Sequence, residues 1–371
     1  MSGYDLVVCE ICGAAYAENI PSQPVFDAYY AAMSKYEPGL RTVEKVDPIF
    51  QQAADLIVAQ VPTTASVTDI GCATGAFLSE LKNRGYKNVK GFDPSAICCD
   101  VAKRLHDIDV QHATISQLGQ ICERFDLLIS TGVLEHLCDV ETSIQTLSGL
   151  LKPNGQMFIG VPDAGQYHRW FGAPYQYFSM EHVNFFSPRS LSNLMARHGF
   201  VTKFIKRVPR HLAPNAVEPI LMGLFERQTT NSASAKQLYD HETEASLKNY
   251  IVASKKTDQR ISSIIANLVK AQTPMYVWGA GTHTLRLLQT SPLANAKIIA
   301  FIDSNKNYQG KQLCGIPILS PEEIRGRPEV VLISSHVAEE DIKSCIQKDL
   351  KWTSPLVCLY EGCPVDVERN M

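Results

Sequence analysis

The sequence lacks the features that would direct the protein to a membrane, a secretory route or nucleic acid. No apolar run reaches the ~20 residues with which a helix crosses a bilayer. The first residues, MSGYDLVVCE, have neither a basic region nor a long apolar core. The net charge is −3, from 35 basic and 38 acidic residues, which leaves no positive surplus for nucleic acid or anionic lipid. We therefore expect a cytoplasmic protein with no nucleic-acid partner and no membrane partner.

The cysteines do not form a disulfide framework or a complete zinc site. There are 11 of them, an odd number, and several lie inside apolar runs or motifs, as Cys72 and Cys98 do. This pattern favours free thiols in a reducing compartment. Cys9 and Cys12 form one Cys-x-x-Cys pair with no second pair nearby, and a closed zinc site needs four ligands. We predict an incomplete zinc site there, with no bound metal.

The length of 371 residues predicts more than one domain. Strand and helix patterns alternate twice along the chain, which predicts an α/β fold class: two Rossmann-like domains, each with a mostly parallel sheet and helices on both faces. A polar stretch at 228–236 marks the boundary. The predicted organisation is a cysteine-containing segment at 1–46, a first α/β domain at 47–229, a helical connector at 230–271 and a smaller α/β domain at 272–371.

The strongest motif is Val-Thr-Asp-Ile-Gly-Cys-Ala-Thr-Gly-Ala-Phe, residues 67–77. A predicted strand leads through Asp69 to Gly71 and Gly75, and a helix follows at once. Glycine allows a tight turn with a ligand lying directly on the backbone, and the N–H groups of the following helix favour anionic groups. Asp93 ends the next strand, where a carboxylate can accept hydrogen bonds from ribose hydroxyls.

This loop resembles motif I of the class I S-adenosylmethionine-dependent methyltransferases. The phrase Val-Leu-Glu-His-Leu after the fourth strand also resembles that family. The resemblance implies S-adenosylmethionine as cofactor and S-adenosylhomocysteine as product, with His112 near adenine and Cys72 and Ala73 touching the ligand through their backbone. The cofactor residues that we predict are Asp69, Gly71, Cys72, Ala73, Gly75, Asp93, Pro94, His112, Ser130, Glu135 and His136.

An aromatic insertion follows the fifth strand, from Tyr167 to Phe178, and Glu-His-Val-Asn-Phe-Phe-Ser follows at 181–187. Such a segment can roof an acceptor pocket, because aromatic rings exclude water and stack on flat or sugar rings. The whole layout is similar to the deoxysugar C-methyltransferases, which act on nucleotide-linked 4-keto sugars. That resemblance implies a nucleotide-sugar substrate, a role in carbohydrate biosynthesis and carbon methylation through an enolate.

His182 is the candidate base for that step, because an imidazole has a suitable pKa for proton removal. Glu181 and Tyr36 complete the predicted catalytic residues. Two alternatives stay open: Glu181 and His182 form a structural hydrogen-bonding pair, or the enzyme methylates an oxygen of a sugar or another small metabolite. We expect a monomer or a homodimer.

A second glycine loop, Val-Trp-Gly-Ala-Gly-Thr-His-Thr, spans residues 277–284. Gly279 and Gly281 match the first two glycines of a dinucleotide fingerprint, Thr284 replaces the third, and Asp303 ends the next strand. His283 and His336 are candidate polar contacts. This module is interpreted as a nucleotide-binding domain, as a structural Rossmann-like cap, or as the working part of an NAD(P)-dependent oxidoreductase. A binding protein without catalysis is a further alternative.

Overall fold

The computed structural model describes residues 3–32, 47–213, 216–228 and 237–360. Contacts divide the chain into two compact units. The first unit contains residues up to 167, 178–210 and 218–247, and the second contains 168–177, 211–217 and the chain from 248 onward. The described part of the N-terminal segment, 3–32, therefore belongs to the first unit rather than standing apart.

The first unit is built on a seven-stranded sheet with the order β5-β4-β3-β6-β7-β10-β9. The five strands from β5 to β7 run parallel, and β10 pairs antiparallel with β7. Apolar residues fill both faces of the sheet in two separate clusters, as expected for parallel strands with helices on both sides. The elements are α2 Pro48–Val58, β3 Ser66–Ile70, α3 Ala76–Asn83, β4 Asn88–Asp93, α4 Ala96–His106, β5 Val110–His112, β6 Phe125–Thr131, α5 Val140–Gly149, β7 Leu151–Pro162, α6 Pro188–Arg197, β9 Phe200–Ala213 and β10 Ala216–Arg227.

The order in which the chain adds strands to this sheet reverses at β3. From β3 the chain adds β4 and β5 on one side, and β6 and β7 then continue on the other side. In open α/β sheets a ligand binds in the crevice beyond the carboxyl ends of the strands at such a switch point. We therefore expect a ligand site at the loops that follow β3, β4, β5 and β6.

The N-terminal residues cover this edge. A hairpin of β1 (Asp5–Val8) and β2 (Ala15–Glu18) joins β8 (Asn184–Phe185) in a three-stranded sheet. Helix α1 (Gln23–Ala32) follows the hairpin. Phe26, on α1, packs with Ala17 and Val183 in a small apolar cluster. The contact brings the start of the chain to residues more than 150 positions away.

The second unit has a six-stranded sheet with the order β13-β14-β12-β11-β15-β16. Apolar clusters again lie on both faces of the sheet. Helix α7 starts in the first unit, and its residues from 248 onward belong to the second. The elements are α7 His241–Lys270, β11 Met275–Trp278, α8 Thr282–Thr290, β12 Ile298–Ile302, β13 Gln312–Leu313, β14 Ile316–Leu319, β15 Val330–Ile333, α9 Glu339–Ser344 and β16 Leu356–Cys358.

The α/β fold class and the second, smaller α/β domain are confirmed. The apolar periodicity predicts a long helix over 235–270 and a helix over 116–123. The long helix begins at His241, and the second segment forms a short 3-10 helix, Ile115–Gln120. The sequence patterns did not predict the N-terminal hairpin, α1, the long strand β10 or the short strands β8, β13, β14 and β16. Pro219 and Gly223 interrupt the alternating pattern of β10, so its strand character depends on pairing with β7. No helix within the described residues is long and apolar enough to span a membrane.

Candidate functional site

The loop after β3 is held in a conformation that requires glycine. Gly71 has φ +72°, and Ala73 and Gly75 are also in the left-handed region. A Cβ atom on Gly71 would lie 2.6 Å from Cγ2 of Val133, closer than carbon atoms can approach. The Gly71 N–H donates to the Phe92 carbonyl over 2.8 Å. The loop therefore lies tightly between the ends of β4 and β6.

Asp93, at the end of β4, holds the loop from the other side. Its Oδ2 accepts a hydrogen bond from the Ala73 N–H at 2.8 Å, and its Oδ1 accepts from the Ser95 N–H at 2.9 Å. Burial raises the pKa of this carboxyl, and the two backbone donors oppose the increase. Each oxygen has a second lone pair, so the carboxylate can still accept hydrogen bonds from a ligand.

Asp69 lies one strand position before the loop and is almost completely buried. Its Oδ1 has no hydrogen-bond partner among the described residues. Burial, followed by the charge of Asp93, raises its pKa well above the usual value. A buried carboxyl in this state costs free energy unless a donor or a cation approaches it. The Ser130 hydroxyl, on the neighbouring strand β6, is also buried and has no hydrogen-bond partner among the described residues.

A cleft of about 240 Å³ opens at this edge of the sheet. Five predicted cofactor residues, Gly71, Ala73, Asp93, Pro94 and His136, line it together with Glu181. The lining does not include Asp69, Cys72, Gly75, Ser130 or Glu135. The lining residues are Gln23, Asp27, Tyr30, Ile70, Gly71, Ala73, Asp93, Pro94, Ser95, Cys98, Ala113, Thr114, Ile115, Thr131, Gly132, Val133, His136, Leu137 and Glu181.

His112 is not part of the lining. Its imidazole is exposed, and Nε2 lies 2.9 Å from the Pro94 carbonyl oxygen, to which it donates as the N–H tautomer. The next residues, Ala113 to Ile115, form the wall in its place. Helix α1 contributes Asp27 and Tyr30, which the sequence interpretation missed. The spacing of Phe26, Tyr29 and Tyr30 by three and four positions is the helical pattern that could have revealed it.

The acceptor-side candidates meet where residues 181–184 pack on the turn Leu134–His136. The Asn184 amide donates to the carbonyl oxygens of Leu134 and Leu137 and fixes that turn. The His136 and His182 rings pack edge to face, with centroids 4.9 Å apart. His136 Nδ1 lies 2.8 Å from the Glu181 carbonyl oxygen and 3.0 Å from the Tyr30 hydroxyl.

The Glu181 carboxylate accepts a hydrogen bond through its Oε1 from the Tyr29 hydroxyl at 2.8 Å. The structure thus brings His182 and His136 together, and it joins Glu181 to the N-terminal helix. The third predicted catalytic residue, Tyr36, lies outside the described residues.

Much of the aromatic insertion belongs to the second unit. The Tyr177 N–H donates to the Tyr250 hydroxyl, and the Tyr175 N–H donates to Ser254 Oγ. Ala173 lies in the apolar core of the second unit. Residues 168–177 therefore fold with the C-terminal module, and their role as an acceptor roof stays a prediction.

Cys9 and Cys12 lie in the tight turn of the N-terminal hairpin. The Gly13 N–H donates to the Cys9 carbonyl over 2.8 Å. Backbone donors from Cys12 and Ile11 lower the pKa of the Cys9 thiol, whereas burial raises the pKa of Cys12. The turn offers two sulfur ligands.

The second glycine loop repeats part of this geometry. Asp303 accepts from the Ala280 N–H at 2.9 Å and from the Asn305 N–H at 2.8 Å, as Asp93 does in the first unit. The Thr284 hydroxyl donates to the Gly279 carbonyl at 2.7 Å. In the dinucleotide fingerprint a glycine without a side chain stands at this position, whereas the side chain of Thr284 forms a hydrogen bond with the loop backbone.

Two partly buried histidines, His283 in the second glycine loop and His336 after β15, share a tyrosine neighbour. His283 forms a hydrogen bond with the Tyr360 hydroxyl, and the His336 ring packs edge-on against Tyr360 with centroids 4.8 Å apart. Burial lowers the pKa of His283 to about 4 and also lowers that of His336. Both rings are therefore neutral near pH 7.

Comparisons with known proteins agree with the two-unit division. Residues 44–203 match the family described as "Methyltransferase domain", and residues 272–352 match "C2185-like, N-terminal". A ubiquinone biosynthesis O-methyltransferase of Chelativorans sp. is 34% identical over 101 residues, which are 26% of this chain. The match spans 39% of that relative's length.

Two further relatives extend over more of the chain. The C-methyltransferase NovU of Streptomyces niveus is 22% identical over 349 residues, covering 89% of this chain and 79% of the relative. A solved structure, the 1,6-didemethyltoxoflavin-N1-methyltransferase of Burkholderia thailandensis, has 20% identity and a TM-score of 0.46; it covers 61% of this chain and 100% of its own. Residues 44–203 therefore match a methyltransferase-domain family, and this match spans less than half of the chain.

Proposed function

We propose that the whole chain is an S-adenosylmethionine-dependent methyltransferase whose acceptor is a nucleotide-linked keto sugar, methylated at carbon. The observation that carries the cofactor part is the buried Asp69 carboxyl, whose Oδ1 has no partner among the described residues. It lies beside a glycine loop that an added Cβ would block.

These residues fit the chemical groups of the cofactor. The amino acid part of S-adenosylmethionine carries an ammonium group, which can donate to Asp69 and offset the cost of its burial. Asp93 has acceptor capacity left for ribose hydroxyls, and the loop backbone from Gly71 to Ala73 can lie against the ligand. When bound, S-adenosylmethionine supplies a methyl group that its positively charged sulfur already activates for transfer.

The residues of the chain then have to hold the acceptor and remove its proton. His136 and Glu181 line the cleft, Tyr30 lines it from α1, and His182 packs on His136. Removing a proton from the carbon next to a carbonyl leaves an electron pair that is delocalised onto the carbonyl oxygen. An imidazole is a suitable base for that step, and alignment of the two reactants supplies up to roughly 7–11 kcal/mol of the barrier reduction.

A keto sugar is supported by the similarity to NovU, which is named a C-methyltransferase. That similarity extends over 349 residues. Because the similarity covers 89% of this chain, it includes most of both units. The support for the alternative, oxygen methylation, comes from the relatives named O-methyltransferases, which match 101 residues or fewer. The longer similarity includes both units, so it favours carbon methylation.

Calorimetric titration of the full chain with S-adenosylhomocysteine tests the cofactor site. Asp69→Asn keeps the shape and removes the charge, so we expect affinity to fall about 10–100-fold, corresponding to the ~1.5–3 kcal/mol of a hydrogen bond to a charged group. Asp126→Asn is the matched control, since Asp126 binds Lys152 at the other end of β6. Equal affinity of Asp69→Asn and the unmodified protein would contradict the assignment.

Turnover with nucleotide-linked keto sugars tests the acceptor. The sugar carries deuterium at the carbon next to its carbonyl, and mass spectrometry follows the product. Methylation of that carbon replaces the deuterium, whereas methylation of oxygen keeps it. Gain of a methyl group with retained deuterium would favour the O-methyltransferase alternative, and no methylated sugar at all would refute the proposed acceptor.

A further inference from the structure

Three side chains with metal-binding atoms converge beside the cleft. They are Glu135, His136 and His182, and one ligand atom of each lies within 4.8 Å of the others. Two come from the turn Leu134–His136, and the third comes from the segment before β8. The group contains neither Cys9 nor Cys12, so it is separate from the cysteine turn of the N-terminal hairpin.

The surroundings of His136 select the tautomer that a metal needs. Its Nδ1 is 2.8 Å from the Glu181 carbonyl oxygen, and a carbonyl can only accept, so Nδ1 carries the proton in that bond. The neutral ring then has its lone pair on Nε2. Histidines that bind metals usually donate their other N–H to a carbonyl or a carboxylate in this way.

The lone-pair nitrogen faces a carboxylate. His136 Nε2 and Glu135 Oε1 are 3.9 Å apart. Two ligands of one ion with bonds of about 2.0–2.2 Å stand about 2.8–3.6 Å apart at octahedral or tetrahedral angles. The observed separation exceeds this range by about 0.3–1.1 Å, which side-chain rotation can close. Glu135 is 3% exposed, and buried carboxylates are commonly paired or bind metals.

We propose that Glu135, His136 and His182 bind one divalent transition-metal ion, of the Zn²⁺, Mn²⁺ or Fe²⁺ class, at the acceptor end of the cleft. Two imidazoles and one carboxylate suit these ions and leave coordination positions open. His136 lines the cleft, so the open positions are available to acceptor oxygens.

The role of the ion rests on the proposed function, whereas its binding does not. An acceptor that offers two neighbouring oxygens, such as a carbonyl and a hydroxyl, can chelate the ion. Coordination lowers the pKa of the proton next to that carbonyl, or of the hydroxyl itself. The ion thereby orients the acceptor toward the methyl donor and makes the proton easier to remove. With both imidazoles bound to the ion, the proton passes to the Glu181 carboxylate, which also lines the cleft, rather than to an imidazole.

Metal analysis of the full chain tests the inference. The protein is stripped with a chelator, dialysed against Zn²⁺ or Mn²⁺, and analysed by mass spectrometry for metal and by calorimetry. We expect one ion per chain, and we expect His182→Ala and Glu135→Gln each to weaken binding at least about 10-fold. With Co²⁺, the visible absorption of the bound ion should change in His182→Ala.

Two controls separate this site from others. Cys9→Ser with Cys12→Ser should keep the bound ion, and circular dichroism should show that His182→Ala is folded. Absence of stoichiometric metal in the unmodified protein would overturn the inference, as would binding that survives both ligand variants and is lost in the cysteine variant. S-adenosylhomocysteine titration distinguishes the two proposals. Cofactor binding without metal refutes only the ion, and metal binding without cofactor refutes only the proposed function.

Discussion

Replacing Gly71 with alanine should destabilise the first unit through two separate effects. The residue has φ +72°, and its new Cβ would lie 2.6 Å from Cγ2 of Val133. The left-handed backbone costs an alanine about 1–2 kcal/mol. Forcing a methyl group into packed surroundings costs about 1–3 kcal/mol more. We expect the free energy of unfolding to fall by about 2–5 kcal/mol in total.

Gly199→Ala provides a matched control for the backbone effect. Gly199 has φ +78°, and no heavy atom lies within 4 Å of its added Cβ. The difference between the two variants therefore isolates the steric contact with Val133. We expect Gly71→Ala to be the less stable by about 1–3 kcal/mol, and Val133→Ala in the same chain should recover most of that difference.

Urea denaturation of the full chain measures these changes. All three tryptophans, Trp170, Trp278 and Trp352, belong to the second unit. Tryptophan fluorescence therefore follows the second unit, and circular dichroism follows both. The midpoint of the first unit should shift in Gly71→Ala. If the two glycine variants are equally stable within about 0.5 kcal/mol, or if Val133→Ala recovers nothing, the steric argument is wrong.

Two further predictions concern the second unit. Burial lowers the pKa of His283 from 6.5 to about 4, so the folded state binds fewer protons than the unfolded state between these pH values. The free energy of unfolding of the second unit should therefore fall by about 2–3 kcal/mol as the pH drops from 6.5 to 4. Tryptophan fluorescence during urea denaturation measures this fall, and an unchanged pH dependence in His283→Gln would contradict the prediction. Calorimetry with NADH should detect no binding, because Thr284 replaces a fingerprint glycine and bonds to the loop carbonyl; tight binding that disappears in Gly281→Trp would favour the oxidoreductase alternative.

Local patterns were enough to predict the strand ends that form the cofactor side. The sequence pattern predicts strands over 66–70, 275–278 and 298–302, and these are the bounds of β3, β11 and β12. Buried parallel strands are short, largely apolar runs bounded by glycine and polar residues, which makes them easy to recognise. Since parallel strands end at one edge, the proximity of Asp69 and Asp93 followed from their positions in the pattern. The left-handed glycine loop also followed from residue type alone.

The direction of individual side chains could not be predicted in the same way. His112 was expected near adenine, yet its ring turns to the Pro94 carbonyl. Position on a strand gives the face of the sheet but not the rotamer, which depends on neighbours. The same limit applies to Glu181, whose carboxylate binds Tyr29 on a helix 152 positions away.

The sequence by itself determined the α/β class, the two modules and the acidic residues at the strand ends, because each depends on periodicity and residue type within a short window. Only the tertiary structure decided that α1 lines the cleft, that residues 168–177 fold with the second unit, and that His136 meets His182. Tyr30 and His136 are 106 positions apart. Contacts of that kind depend on how complete elements pack, and no local pattern encodes the partner.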